Sequence, residues 1–189
     1  MMNPPEVARY VEAARRGDHE AFEQLVRLTY RDTYTLAYRL TGDEEDARDV
    51  VQETYLRTYR SIGRFRGDAQ FSTWLYRITA NCAASASARS ARHRHAELAP
   101  ETPILDTRAD HDPAQHADAT TLRLRLEAAI AELPPRLRQV IVLRDVYELP
   151  HDQIATELGI SESAAKVRLH RARRVLRERL FSGDQRHAI

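Results

Sequence analysis

The stretch from Leu133 to Leu180 constrains the fold most strongly, because it predicts two short helices, a tight turn and a long basic helix. Gly159 marks the turn. Before it, Ile154 and Leu158 fall on one apolar face of a short helix, and after it Ser161 is placed to cap the next helix. This succession is typical of a helix-turn-helix, in which the second helix enters the major groove of DNA.

The last helix of this stretch separates apolar from basic residues. Its apolar stripe consists of Ala165, Leu169, Ala172, Leu176 and Leu180, and its other faces carry seven cationic residues against Glu162 and Glu178. The residues predicted to contact the DNA groove are Ser161, Ser163, Lys166, Val167, His170, Arg171 and Arg174. The alternative for this segment alone is a solvated basic helix on a helical bundle.

Composition favours an all-α protein without a metal or cofactor. Charged residues make up 30% of the 189 and glycine is present only 6 times. Cys82 is the single cysteine, and His93, His95, His111 and His116 lack the spacing of metal ligands. Neither a membrane span nor a signal peptide is recognisable, so we expect a cytoplasmic protein.

The first half of the chain predicts a series of capped helices. Asp18 and Asp43 are candidate N-caps, and the latter opens a first turn rich in carboxylates. Apolar positions place Tyr30 on the buried side of the second helix and Tyr59 on that of the third. The third helix has a polar face consisting of Asp49, Gln52, Glu53 and Arg57. From the pattern alone, a solvated surface explains that face better than a docking site.

A polar loop with one aromatic residue, Phe65, precedes a helix that contains Trp74 and Arg77. We interpret Phe65 as having little core to join, so that its ring is available to an extruded base. Rings set among cations can stack unpaired bases, although Trp74 can equally be a core anchor. An acidic, proline-containing segment follows the helix and predicts a boundary between two domains. The predicted division is a domain at 1–95, a flexible acidic linker at 96–112, a second domain at 113–182 and a tail at 183–189.

Two segments together resemble the sigma factors of bacterial RNA polymerase, in particular the extracytoplasmic-function group of the sigma-70 family. The first segment contains DARDVVQETYLR at 46–57, then FRGD at 65–68 and TWLYRI at 73–78. The second contains LPPRLR at 133–138, then IA at 154–155, LGI at 158–160 and RLHRAR at 168–173. Both occur in the order and at the separation found in that family.

The resemblance implies a sigma-two-like bundle and a sigma-four helix-turn-helix domain on a flexible tether. It assigns polymerase docking to Asp49, Gln52 and Glu53, beside which Arg57 completes the face. It assigns opening of the minus-ten element to Phe65, Arg66, Asp68, Trp74, Arg77 and Asn81, and contact with the minus-thirty-five element to the basic helix. The implied partners are core RNA polymerase, promoter DNA and an anti-sigma factor.

Two other functions compete with a promoter-specificity factor. A helix-turn-helix transcriptional regulator would bind duplex DNA without polymerase, but the first domain shows no pattern for an effector pocket or a dimer seam. A helical adaptor that binds only proteins leaves the cations of the last helix unexplained. The sequence contains no recognisable nucleophile, paired carboxylates or phosphate-binding glycine loop, so we expect no enzymatic activity.

Overall fold

The computed structural model describes the backbone of residues 4–97 and 119–181 and the side chains of 6–89 and 121–180. Within these ranges the regular structure is entirely helical. The helices are α1 (Pro4–Arg15), α2 (His19–Thr41), α3 (Glu44–Ser61), α4 (Phe71–Glu97), α5 (Ala119–Ala131), α6 (Pro135–Ile141), α7 (His151–Leu158) and α8 (Glu162–Phe181). A 3₁₀ turn follows α3 at Ile62–Arg64, and a π-helical turn follows α6 at Val142–Val146.

Capping residues set the limits of the first helices. The Asp18 carboxylate accepts a hydrogen bond from the Ala21 amide at 3.0 Å, so Asp18 is the N-cap of α2 as predicted. The Asp43 carboxylate does the same for the Asp46 amide at 2.9 Å and opens α3. Between them, Gly42 ends α2 with a φ of 75°, a left-handed conformation that glycine adopts without a Cβ clash.

A buried polar contact fixes α3 on α2. The Tyr55 hydroxyl lies 2.9 Å from the Thr29 hydroxyl and donates to the Thr33 hydroxyl at 3.1 Å. Both threonines are almost fully buried, and burial raises the pKa of Tyr55. These bonds set the rotation of α3 about its axis, and thereby fix which residues of α3 face outward.

A separate apolar cluster joins α1, α2, the turn after α3 and the start of α4. It includes Val11, Leu25, Ile62, Phe65 and Leu75, all buried. The interpretation of Phe65 as an aromatic without a core to join is therefore wrong. The backbone turn at Ile62–Arg64 directs the Phe65 ring inward, and the polar neighbours of Phe65 in the sequence gave no sign of this.

Helices α5 to α8 form the second bundle, with the predicted helix-turn-helix at α7 and α8. Gly159 has a φ of 62°, which lets the chain reverse after α7, and the Ile160 amide donates to the Ala155 carbonyl at 3.0 Å. The Ser161 hydroxyl accepts from the Ala164 amide at 3.2 Å, which confirms the predicted N-cap of α8. The predicted apolar stripe of α8 is buried except for Leu180, which is half-buried.

The two bundles share one apolar core, which the sequence analysis did not predict. The first bundle contributes Leu36, Leu40, Ala80, Cys82 and Ala83; the second contributes Leu133, Val140, Val142, Leu143 and Ile154. We call this shared apolar core the seam between the bundles. At one edge of it the Tyr76 and Tyr147 rings meet edge to face, with centroids 4.8 Å apart. Helices α6 and α7 of the second bundle therefore lie directly against α2 and α4.

Two aromatic side chains lie on the surface although their helical positions predicted burial. Tyr59 is 47% exposed and packs against Phe22 and His19, while Tyr30 is equally exposed and stacks on Tyr34. In both cases the neighbouring helices cover only part of the apolar face, so a ring at its edge stays exposed to solvent. The predicted linker at 96–112 lies almost wholly outside the described residues, and the predicted tail at 183–189 lies wholly outside them.

Candidate protein and nucleic-acid interfaces

The outward face of α3 contains the residues predicted to dock on polymerase. Asp49 and Gln52 are exposed, and Glu53 pairs with Arg57 at 2.6 Å one helical turn later. Leu56 is 44% exposed in the middle of this face, although it is a large apolar residue. Acidic and amide groups around one exposed leucine form a surface suited to a protein partner that offers cations around a small apolar contact.

Arg57 connects this face to α4. Its Nε donates to the Glu53 carboxylate, and that hydrogen bond raises the pKa of Arg57, while its Nη1 donates to the Asn81 side-chain oxygen at 2.9 Å. The structure thus brings a residue of the predicted polymerase set against a residue of the predicted minus-ten set. The two predicted surfaces are continuous.

The loop before α4 divides its residues between surface and core. Arg66 and Asp68 are exposed, whereas Phe65 is only 9% exposed. The Phe65 ring lies 5.0 Å from that of Trp74 and 5.9 Å from that of Phe71, measured between centroids. Trp74 is half-buried and so keeps part of its indole accessible. Of the two aromatic residues predicted to meet an extruded base, Trp74 alone has an accessible ring.

Arg77 and Asn81 lie on the face of α4 that contacts α7. The Arg77 Nε donates to the Glu157 carboxylate at 2.7 Å, and the Asn81 side-chain amide donates to the Glu157 carbonyl at 3.4 Å. These contacts join residues about 80 positions apart in the sequence. Two residues of the predicted minus-ten set are consequently occupied by the helix-turn-helix.

The basic helix α8 presents its predicted DNA-contacting residues together on the surface. All seven are exposed, from the Ser161 cap to Arg174. Lys166 pairs with Glu162 at 2.6 Å. Because this ion pair is exposed and therefore weak, an anionic ligand can replace Glu162 beside Lys166. Arg168 is half-buried instead, and burial, with repulsion from Arg136, lowers its pKa. Arg168 therefore lies near Arg136 of α6 and not on the face that carries the seven predicted residues.

Two residues important to these surfaces were missed from the sequence. Leu56 falls outside the core stripe of α3, and its offset from the apolar spacing was a usable signal. Glu157 gave no such signal, because one glutamate on a short helix is ordinary in any solvated face. Its contact with Arg77 depends on how the two bundles pack.

The described residues define neither a metal site nor a membrane span. Within side chains 6–89 and 121–180, histidine, cysteine and acidic residues do not gather into a group of three or more. The side chains of His93, His95, His111 and His116 lie outside those ranges. No helix in the described part of the chain is long and apolar enough to cross a membrane.

Comparison with family models separates the chain at the same place as the fold. The model of Sigma-70 region 2 matches residues 25–93, which lie in the first bundle. The model of Sigma-70 region 4 matches residues 123–176, which lie in the second.

Individual relatives match over most of the chain. The ECF RNA polymerase sigma factor SigE of Mycolicibacterium smegmatis is 36% identical over 87% of this chain, which spans 64% of that relative's length. SigW of Bacillus subtilis is 31% identical over 92% of this chain and 96% of its own. Among solved structures, CnrH in complex with the cytosolic domain of CnrY is 25% identical with a TM-score of 0.56, covering 95% of this chain and 99% of that one. RpoE of Bartonella quintana in complex with the anti-sigma factor NepR, at 22% identity and a TM-score of 0.58, shares the fold over 84% of this chain and 96% of that one.

Proposed function

The chain belongs to the extracytoplasmic-function group of the sigma-70 family, and we propose that it binds core RNA polymerase, recognises minus-thirty-five and minus-ten promoter elements and helps melt DNA at initiation. The observation that carries this proposal is the presence of both regions in one chain, each on its own bundle. Polymerase supplies the chemistry, so no residue here is assigned a catalytic role. The site of action is the bacterial cytoplasm, where polymerase and promoter DNA meet.

Polymerase docking is assigned to the outward face of α3. Asp49, Gln52, Glu53 and Arg57 supply charge and hydrogen bonds, and Leu56 supplies an apolar centre. Tyr55 supports this assignment, because its buried bonds to α2 hold the face in one orientation before the partner arrives. Exposed charges steer the encounter, while the leucine contributes to holding the complex.

The minus-ten assignment rests on α4 and the loop before it. Arg66, Arg77 and Asn81 can hold phosphate and base edges of a single strand, and Trp74 offers a face for stacking. Asp68 can accept hydrogen bonds from base amino groups. Phe65 is assigned a supporting role, since its buried ring fixes the orientation of Trp74.

The minus-thirty-five assignment rests on α8, with Ser163, Lys166, Val167, His170, Arg171 and Arg174 facing the major groove from the Ser161 cap onward. Cations supply phosphate and guanine contacts, and Val167 can contact a thymine methyl group. An anti-sigma factor is proposed as a further partner. Of the two structural relatives, RpoE was solved in complex with the anti-sigma factor NepR and CnrH in complex with the cytosolic domain of CnrY. Such a partner would have to cover the surfaces that bind polymerase.

Retention of core polymerase by the immobilised full chain tests the docking assignment. Glu53→Arg is compared with Glu23→Arg, a matched control because both glutamates pair with an arginine four residues later at 2.6 Å. We expect Glu53→Arg and Leu56→Ala each to weaken retention by about tenfold, since a central interface residue contributes about 1–2 kcal/mol. Glu23→Arg should bind as wild type does.

Two outcomes of this experiment would contradict the assignment. Equal retention of the Glu53 and Glu23 variants would remove the α3 face from the polymerase interface. A wild-type chain that fails to retain polymerase but binds duplex DNA would favour the regulator that acts without polymerase.

A further inference from the structure

The contact between α7 and α4 uses the groups that a DNA strand would need. The Glu157 side chain is only 12% exposed and its carboxylate lies on the Arg77 Nε at 2.7 Å. The Glu157 backbone carbonyl accepts a hydrogen bond from the Asn81 side-chain amide, and the Asn81 side-chain oxygen accepts one from Arg57. With α7 in place, both ends of Asn81 and the Nε of Arg77 have partners.

Glu157 offers acceptors of the same kind as single-stranded DNA. A carboxylate on a guanidinium is chemically close to a phosphodiester on a guanidinium. A carbonyl that accepts from an asparagine amide resembles the carbonyl edge of an unpaired base. Apolar burial around Ile154 holds α7 on α4, so these acceptors are presented on a rigid helix.

We propose that α7 and the unpaired strand of the minus-ten element compete for one surface of α4, with Glu157 occupying the position of a strand phosphate. This inference rests on the proposed function, because it requires Arg77 and Asn81 to bind DNA. In the packed arrangement the helix-turn-helix blocks Arg77 and Asn81 of the proposed strand-binding set. The free chain therefore binds an unpaired strand only in the fraction of molecules in which α7 has left α4.

The seam also contains a group that opposes the packed arrangement. Arg138 is 7% exposed, and its Nε has no hydrogen-bond partner in the described part of the chain. Burial lowers the pKa of Arg138, and its guanidinium fills the space beside Gly42, where a Cβ would lie 1.5 Å from Nη1. Among the described side chains no acid pairs with this guanidinium, and a buried cation that lacks such a partner reduces the net stability of the seam. Separation of the bundles hydrates Arg138, which favours opening when a ligand can replace the Glu157 contacts.

The test measures how strongly the full chain binds a short fluorescein-labelled DNA single strand of randomised sequence, by fluorescence anisotropy. Glu157→Gln removes the charge of the competitor. Asp152→Asn is the matched control, because it makes the same charge change on an exposed position of the same helix. We expect Glu157→Gln to strengthen binding by about fivefold, the size expected for a partly exposed ion pair, and Asp152→Asn to change it by less than about 1.5-fold.

A second pair of variants shows whether the effect acts through Arg77. In an Arg77→Gln background, where the contact is already lost, Glu157→Gln should no longer strengthen binding. Equal effects of Glu157→Gln and Asp152→Asn would overturn the competition, because net charge alone would then explain both. An effect of Glu157→Gln that persists without Arg77 would overturn it as well.

The same measurements separate this inference from the proposed function. In the Glu157→Gln background, where the competitor has already lost its charge, Arg77→Gln should weaken binding of the single strand by about threefold or more, since it then removes only a strand contact. If Arg77→Gln weakens binding in that background while Glu157→Gln alone matches its control, the assignment of Arg77 to the strand stands and the competition is refuted. If Arg77→Gln leaves binding unchanged in that background, Arg77 does not hold the strand, and both its minus-ten assignment and the competition fail.

Discussion

Replacement of Phe65 by alanine distinguishes a core aromatic residue from one that meets a base. The structure places Phe65, at 9% exposure, in one apolar cluster with Ile62 and Leu75, and its ring packs against those of Phe71 and Trp74. Phe65→Ala empties the volume of a phenyl ring between α4 and the turn after α3. We therefore expect the variant to lose stability first, and to lose promoter melting as a consequence.

The expected loss is about 3–4 kcal/mol of unfolding free energy. Truncation of a buried phenylalanine to alanine costs about 3–5 kcal/mol through lost burial and the cavity left behind. Phe65 lies at the rim of its cluster, which favours the lower half of that range, while its edge-to-face contact with Phe71 and its packing on Trp74 add part of about 0.5–1.5 kcal/mol. Phe65→Leu keeps most of the volume and should cost about 1 kcal/mol.

Urea unfolding followed by circular dichroism and by Trp74 fluorescence measures this loss. Trp74 is the single tryptophan, so its emission reports the cluster around Phe65 directly. The control is Leu124→Ala, since Leu124 is 61% exposed and its truncation should change stability by less than about 0.5 kcal/mol.

The reasoning is refuted if Phe65→Ala unfolds within about 0.5 kcal/mol of wild type. A variant of wild-type stability that nevertheless fails to open a promoter would return Phe65 to the role of a base contact. In that case the ring would have to leave the cluster when DNA binds.

Two further predictions concern α8 and the seam. Arg171→Ala should reduce the slope of log affinity against log salt concentration for duplex DNA by about 1. Arg173→Ala should leave that slope nearly unchanged, because Asp145 already holds the Arg173 guanidinium at 2.6–3.0 Å. Equal slopes for both variants would contradict the assignment of Arg171 to the DNA groove. Burial raises the pKa of Tyr76 to about 12, so the stability that its protonated form contributes is complete below about pH 10 and is lost as pH rises through 12. Urea unfolding from about pH 9 to 12 should show this decline in wild type and a smaller one in Tyr76→Phe; identical profiles would show that Tyr76 does not titrate differently in the folded chain.

The sequence by itself determined the local structure and the family. Asp18, Asp43, Gly159 and Ser161 act on backbone groups within about five residues, so capping and turn chemistry can be read from spacing alone. The basic surface of α8 was equally readable, because helical periodicity fixes which residues share a face. The resemblance to sigma factors rested on the same local segments, and the comparisons confirmed it.

The tertiary structure decided what depends on contacts between distant segments. Phe65 has polar neighbours in the sequence, yet residues from α1, α2 and α4 enclose it. Glu157 meets Arg77 only because an apolar seam joins two bundles that the sequence presents as separate domains. Periodicity shows that a helix has an apolar face but does not show which partner covers that face. The choice of partner follows from how complementary surfaces pack in three dimensions, and here it brought the helix-turn-helix onto the face of α4 that contains Arg77 and Asn81.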